Sequence, residues 1–488
     1  MKVIATPLWL NLILVITIFS CALHAQPTTL APETDTTHSL YFELPIFDFP
    51  YHALASQMSA NYSEHQAASI ESEISVGNYL EAYLAPSMRL TIDASNAFHS
   101  AIHYGVVRGF ETWLKPIDGR IYGRLLKELI AASLDGFLIT IPFGIGWVHE
   151  EFHRNTMTVR NIGSYDEAWL FKQGGTVAVS HILDEDLIAF KKQYPAEHIR
   201  MSSAGIEGQY FQIKELQKRS FFQQTNLPNT GFYLLSTLTA VDYVGSGSDA
   251  DYFAEIVEML GYEETMEERD FTGHDFASWV YDLHRPDEPY ENRGPHESGV
   301  GLNRYINPQD HTLEMTNYIE KMAKRQYLNY LSPTMLGIQN ITINDQLKMN
   351  FAIRHYLTPF GDSRELDVLI KYEAYYLLIA PSVFTNKDNS YYGLEVEMVD
   401  GIAHLSDHAF RYTPRIVLWS QPENQRYADN KARAGGLFGL KVIHETDQRI
   451  NYYLDVEAKS RGWVAGNPYL DSNLSLRLGA CISLGASL

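Results

Sequence analysis

The amino-acid sequence predicts an α+β protein, with a mainly helical part over residues 69–335 followed by an antiparallel β-meander over residues 336–488. Three observations lead there. Up to about residue 335, apolar residues recur at helical spacing. Beyond Leu336 they alternate with polar ones, the period of a strand with one covered face. The chain also has 488 residues, 45% hydrophobic and 20% charged, a folded composition with too many residues for one ordinary core.

The N-terminus reads as a targeting segment over residues 1–25. Lys2 supplies a short positive region, and Leu8 to Phe19 is apolar except for Asn11 and Thr17. Ala22 to Ala25 offers a small-residue exit, with Leu23 where a small residue is usual. This is the pattern of a signal peptide, too short for a comfortable membrane span. Lipid attachment at Cys21 is the competing reading. Cys21 and Cys481 are the only cysteines, so an exported mature chain has no pair to bridge and depends on core burial, metal or membrane. Residues 26–68 form the leader, Thr- and Pro-rich and loose over 26–40.

Helices are expected near 87–114, 120–135 and 143–158, then from a cap at Asp184 and from Pro195, and again near 231–243, 250–260 and 310–330. Thr176 to Ile182 is a short extended piece, and 284–305 is a long Pro-, Gly-, His- and Arg-containing loop, more readily solvated than a lid. After Leu336 the alternation is plainest where Tyr392, Leu394, Val396 and Met398 interleave with polar residues, and again along Ile450–Lys459 and Leu474–Leu484. About eight such runs are separated by turn signals such as Asn344-Asp345. An exported chain ending this way resembles a small outer-membrane β-barrel, apolar outside and polar within. Leu488 stands where such barrels commonly end on an aromatic residue. The alternative is a soluble barrel or sandwich with its apolar face inward, since alternation does not say which face is outside.

The net charge of −21, spread along the chain, argues against a nucleic-acid partner, which needs a basic face. No Ser/His/Asp hydrolase elbow and no Walker-type phosphate loop occurs in the sequence.

One motif carries chemistry. His149-Glu150-Glu151-Phe152-His153 follows a nearly all-apolar stretch from Phe137 to Val148. On a helix the two histidines lie one turn apart on one face, able to share one tetrahedral ion, with Glu150 beside them as a general base. This resembles the zincin metallopeptidases. No third histidine follows shortly, so the resemblance is to the gluzincin type, whose third ligand is a glutamate on a later helix. Glu207 is the candidate, in Ser203-Ala204-Gly205-Ile206-Glu207-Gly208-Gln209-Tyr210. Gly205 and Gly208 would let that helix approach the motif closely, and Ser203 and Tyr210 would support the ligands. His181 is the competing ligand, although in zinc peptidases such an extended piece more often binds the substrate backbone. Asp135-Gly136 precedes the motif, the reverse of the order in intramembrane zinc peptidases.

The expected function is therefore zinc-dependent hydrolysis of peptides or proteins in the cell envelope, in or at the outer membrane. His149, His153 and Glu207 would hold Zn2+, and Glu150 would move the proton. The alternative is an outer-membrane scaffold or binding protein whose metal site is structural or absent.

Overall fold

Ser87 opens the first helix, its hydroxyl accepting from the amide of Leu90 at 3.2 Å. The structure, a computed structural model, describes residues 40–51, 86–118, 120–166, 179–223, 227–260, 269–405, 408–446 and 449–484. The expected targeting segment, Cys21 and most of the leader lie outside these residues. The first helices are α1 (Met88–Trp113), α2 (Ile121–Phe137) and α3 (Ile145–Thr158), within a few residues of the expected spans. Two short strands, β2 (Tyr165–Asp166) and β3 (Val179–Ser180), pair antiparallel after α3.

Helix α4 (Asp184–Gln193) carries three acids in its first turn and two lysines in its last, as the helix dipole favours. Leu183, not Asp184, occupies its cap. Helix α5 (Pro195–Phe222) follows, then α6 (Thr230–Gly245), α7 (Ala250–Leu260), α8 (Asp275–His284) and α9 (Leu313–Gln326). Every residue of α5 except Pro195 and Lys218 is buried. A helix enclosed all round needs partners for its polar groups, and ion pairs supply them on the side that meets the sheet.

Among the described residues that sheet has eleven antiparallel strands. Ten follow the helices: β4 (Ile341–Asn344), β5 (Leu347–Thr358), β6 (Gly361–Tyr372), β7 (Tyr375–Thr385), β8 (Ser390–Val399), β9 (Gly401–Leu405), β10 (His408–Pro422), β11 (Ala432–Glu445), β12 (Ile450–Lys459) and β13 (Asn473–Leu484). The expected number was lower for two reasons. The run near 366–380 is two strands of a tight hairpin, and the short β9 carries little alternation. The eleventh strand is β1 (Leu40–Phe49), inside the stretch expected as leader, and it pairs with β13.

Among the described residues the closed barrel is not formed. The order runs from β1 through β13, β12, β11, β10, β8, β7, β6 and β5 to β4, and no pairing joins β1 to β4. Helix α1 lies along β1, where Leu40 packs with Val107 of α1, so a helix covers the edge that a closing strand would take.

The sheet curves about α5 with its polar face inward. Lys214 donates to Glu365 of β6 at 2.7 Å and to Glu395 of β8 at 3.0 Å, and Lys218 to Glu397 at 2.8 Å. On β8, Glu395 and Glu397 are 4% and 5% exposed, while Leu394 and Val396 between and beside them are 41% and 38% exposed. The outward apolar residues meet across strands: Val396 faces Ile416, Leu394 faces Leu418, Ile416 faces Phe438 and Leu454 faces Leu478. On β8 the acids thus point inward and the apolar residues outward, while other strands also send apolar side chains inward, among them Leu369, Leu378 and Phe384. The helices and sheet share one core, in which Tyr210, Trp279, Tyr356, Phe384 and Trp463 meet.

Candidate metal centre

Helix α3 buries both motif histidines against α5 and α8. Gly205 makes the first contact possible: a Cβ there would lie 2.4 Å from the imidazole of His149. At Gly208 a Cβ would lie 2.8 Å from the ring of Phe152. The two glycines thus permit the close helix approach that the sequence suggested.

The third member of the group is Asp275, the first residue of α8. Its Oδ2 is 3.0 Å from Nε2 of His149 and 3.2 Å from Nε2 of His153. His149, His153 and Asp275 are all buried, and the His149 and His153 rings lie 4.8 Å apart. His274 holds the start of α8: its Nδ1 accepts from the amides of Phe276 and Ala277, at 3.2 and 3.4 Å. Its Nε2 donates to the Ser246 hydroxyl at 2.9 Å. Burial pushes His274 down to about 4, so it remains a neutral acceptor at the cap. Phe271 and Tyr243 wall the site, with ring centroids 4.9 Å from His153 and 5.6 Å from His149.

The hydrogen-bonding of His153 decides the chemistry. Its Nδ1 donates to the backbone carbonyl of Met201. A carbonyl only accepts, so Nδ1 carries the hydrogen, and in the neutral ring Nε2 presents a bare lone pair to Asp275. That buried nitrogen faces Oδ2 of Asp275 at 3.2 Å. Two electron-rich atoms 3.2 Å apart in a buried site need a cation between them, either a proton or a metal. Donor atoms around a tetrahedral zinc stand about 3.3 Å apart for bonds of roughly 2.0–2.1 Å. The two separations that involve Asp275, 3.0 and 3.2 Å, are close to that value, and the three donors all lie within 4.8 Å of one another.

Ionisation follows the same geometry. For Asp275, burial alone would raise the carboxyl, but the two histidines hold it well below the usual carboxylate range. Burial also opposes charge on His153, yet the Asp275 carboxylate and the Met201 carbonyl raise it. His149 is lowered, burial outweighing its bond to Asp275. Glu150 is buried on the same helix, and its charge is felt at Tyr243, whose hydroxyl is pushed well up chiefly by burial.

Glu207 is not part of this group. Its carboxylate accepts from Arg200 at 2.7 and 3.1 Å, from Nε1 of Trp463 at 3.0 Å and from the amide of Gly466 at 2.9 Å. Residues 205 and 207 are about 200° apart around a helix, so a Gly205 that faces His149 turns Glu207 the other way, toward the β12–β13 loop. Ser203 and Tyr210 also bond elsewhere, to the Arg200 carbonyl and to Gln326. The supporting acceptor is instead the Met201 backbone, which sequence cannot advertise. His181 stands apart as well, its ring stacked on Tyr165 at 4.1 Å. Of the extended piece, Val179–Ser180 pairs with Tyr165–Asp166, and residues 176–178 lie outside the described residues. The 284–305 loop is solvated only in part, because Arg293 binds Asp282 and Arg304 binds Asp184 in the interior.

No protein-family model, curated protein or solved structure matches the chain. No described helix is long and apolar enough to cross a membrane.

Proposed function

We propose that the chain is a zinc-dependent peptidase of the cell envelope, with the metal held by His149, His153 and Asp275. The observation that carries this reading is the convergence of Nε2 of His149 and Nε2 of His153 on Asp275, with His153 held by the Met201 carbonyl and Glu150 next to His149 in the sequence. Zinc, when bound, supplies a Lewis acid that makes water acidic near neutral pH. The remaining work falls to the chain. His149 and His153 offer neutral nitrogens, and Asp275 offers a carboxylate that stays ionised. The Glu150 carboxylate takes the proton from the attacking water and passes it to the departing amine. Phe271 and Tyr243 keep bulk water from the ligands, which strengthens each electrostatic contact.

The metal is tested on full-length protein by elemental analysis after zinc loading and dialysis, together with casein cleavage. His149→Ala with His153→Ala is expected to lose one zinc equivalent and all cleavage. A double variant with the zinc content of wild type overturns the assignment.

The second reading is a scaffold or binding protein of the outer membrane with no metal at α3. It is favoured by the raised His153 and lowered Asp275, because a proton on Nε2 also satisfies the pair. Zinc bound by wild type and lost with the two histidines, with casein cleaved, overturns it.

In both readings the outward face of the sheet is proposed to sit in lipid. The registered apolar neighbours on that face support this. Wild type is then expected to partition into phosphatidylethanolamine–phosphatidylglycerol vesicles and resist a carbonate wash. Complete release by carbonate overturns the lipid assignment.

A further inference from the structure

Buried carboxylates in this protein usually meet a permanent cation. Glu207 has Arg200, Asp282 has Arg293 and Lys191, and Asp367 has Arg354 and Lys214. Asp135 of α2, which is fully buried, has two histidines instead, His99 and His103, four residues apart on α1. Its Oδ1 is 2.7 Å from Nδ1 of His99, and its two oxygens are each 2.9 Å from Nε2 of His103. The side-chain oxygen of Asn229, at the cap of α6, lies 2.8 Å from Nδ1 of His103. An amide oxygen only accepts, so Nδ1 holds the hydrogen, and in the neutral ring Nε2 turns a lone pair on the carboxylate. This is the arrangement that a metal-binding histidine adopts, with its far nitrogen bonded to an acceptor that fixes the ring. The next acid, Glu128, is occupied with the amide and hydroxyl of Thr230.

We propose that His99, His103 and Asp135 form a second, structural site for a divalent cation of the zinc class. Two imidazoles and a carboxylate suit such an ion, and the three side chains are 1%, 0% and 0% exposed, which leaves no room for substrate. Ser100 follows His99 where Glu150 follows His149, so no general base stands beside the ligands. The ion joins α1 to α2, ahead of the catalytic helix. Because tetrahedral donors stand about 3.3 Å apart, the rings would back away from Asp135 by roughly half an ångström on binding.

Zinc alone is the probe, on full-length protein. Wild type is expected to hold two equivalents, falling to one in His99→Ala with His103→Ala, and to one in His149→Ala with His153→Ala. Alanine empties a packed core, so Asp135→Asn is the second variant: it keeps the shape and is expected to weaken one of two zinc affinities at least tenfold, with far-UV circular dichroism unchanged. Wild-type zinc content in the His99/His103 variant, or two wild-type affinities in folded Asp135→Asn, overturns the proposal. One equivalent in wild type, lost with His149 and His153 and indifferent to His99 and His103, overturns it also. One equivalent with the reverse dependence supports it and overturns the α3 assignment instead.

Discussion

Two buried clusters in this protein have the same formula: two histidines four residues apart on one helix and an aspartate from another. At α3 the aspartate is Asp275, and the first histidine is followed by Glu150; at α1 it is Asp135, and the first histidine is followed by Ser100. The α3 helix is approached by a glycine-faced neighbour and walled by Tyr243 and Phe271. The α1 cluster is closed by Asn229 and lies against the ring of Phe232, 4.6 Å from His99. The donors are alike, so what would separate the proposed reactive centre from the proposed brace is the acid that follows the first histidine.

The largest effect that would break this comparison is at Glu150. Glu150→Gln is expected to keep zinc and fold while casein cleavage falls by about 100-fold or more, because the base alone is lost. Ser100→Ala is expected to leave cleavage unchanged. Equal cleavage by wild type and Glu150→Gln would mean that the two clusters do not differ in the way described.

Next comes the third ligand. Asp275→Asn is expected to weaken zinc binding at α3 by roughly 10- to 100-fold or more. Glu207→Gln is expected to keep zinc content and to lower stability by about 3 kcal/mol, since it leaves buried Arg200 without its carboxylate. Isothermal titration and denaturant unfolding separate the two, and zinc lost from Glu207→Gln would reverse the assignment.

Proton competition sharpens the comparison further. Asp275 is depressed from 3.8, so its contribution to stability is present above that value and lost as pH falls through the lower folded value. His153 is raised from 6.5, so its contribution is complete below 6.5 and lost as pH rises through the folded value. The metal-free pair therefore stabilises most between 3.8 and 6.5. Zinc must displace the His153 proton, so its affinity at α3 is expected to fall about tenfold per pH unit on the acid side of the His153 titration. An affinity flat from pH 5 to 8 would contradict this.

The smallest effects belong to two glycines. Gly205→Ala drives a methyl into the His149 ring and is expected to cost about 1–3 kcal/mol and to weaken zinc binding. Gly105, two residues beyond His103, has open space at its Cβ. Gly105→Ala is expected to stabilise α1 by roughly 0.5–1 kcal/mol without changing zinc content, by helix propensity alone. Thermal unfolding with and without zinc checks both.

Three of the helices carry a start signal of their own. Ser87, Pro195 and the capping Thr312 stand at or next to the first residues of α1, α5 and α9. The strands were legible wherever one face is apolar, but β9 and the β6–β7 turn were not, since a turn flanked by Tyr372 and Tyr375 does not interrupt the pattern. Strand β1 was hidden for another reason: its partner is β13, at the other end of the chain, and nothing local announces that pairing.

At the site, the sequence by itself determined the histidine pair and its glutamate, because their spacing of four fixes a shared face on any helix. It also determined the close helix approach through Gly205 and Gly208. Only the tertiary structure brought Asp275 to the histidine pair and assembled the second cluster. Asp275 lies 126 residues from His149, and Asp135 lies 36 and 32 residues from its histidines. Those separations are closed by helix packing, and an aspartate in a first turn or near a helix end reads the same whether it caps, pairs or binds. Which way the sheet faces was decided there too. Alternation gives two faces, and only the ion pairs of Lys214 and Lys218 on α5 with Glu365, Glu395 and Glu397 make the charged one the inside.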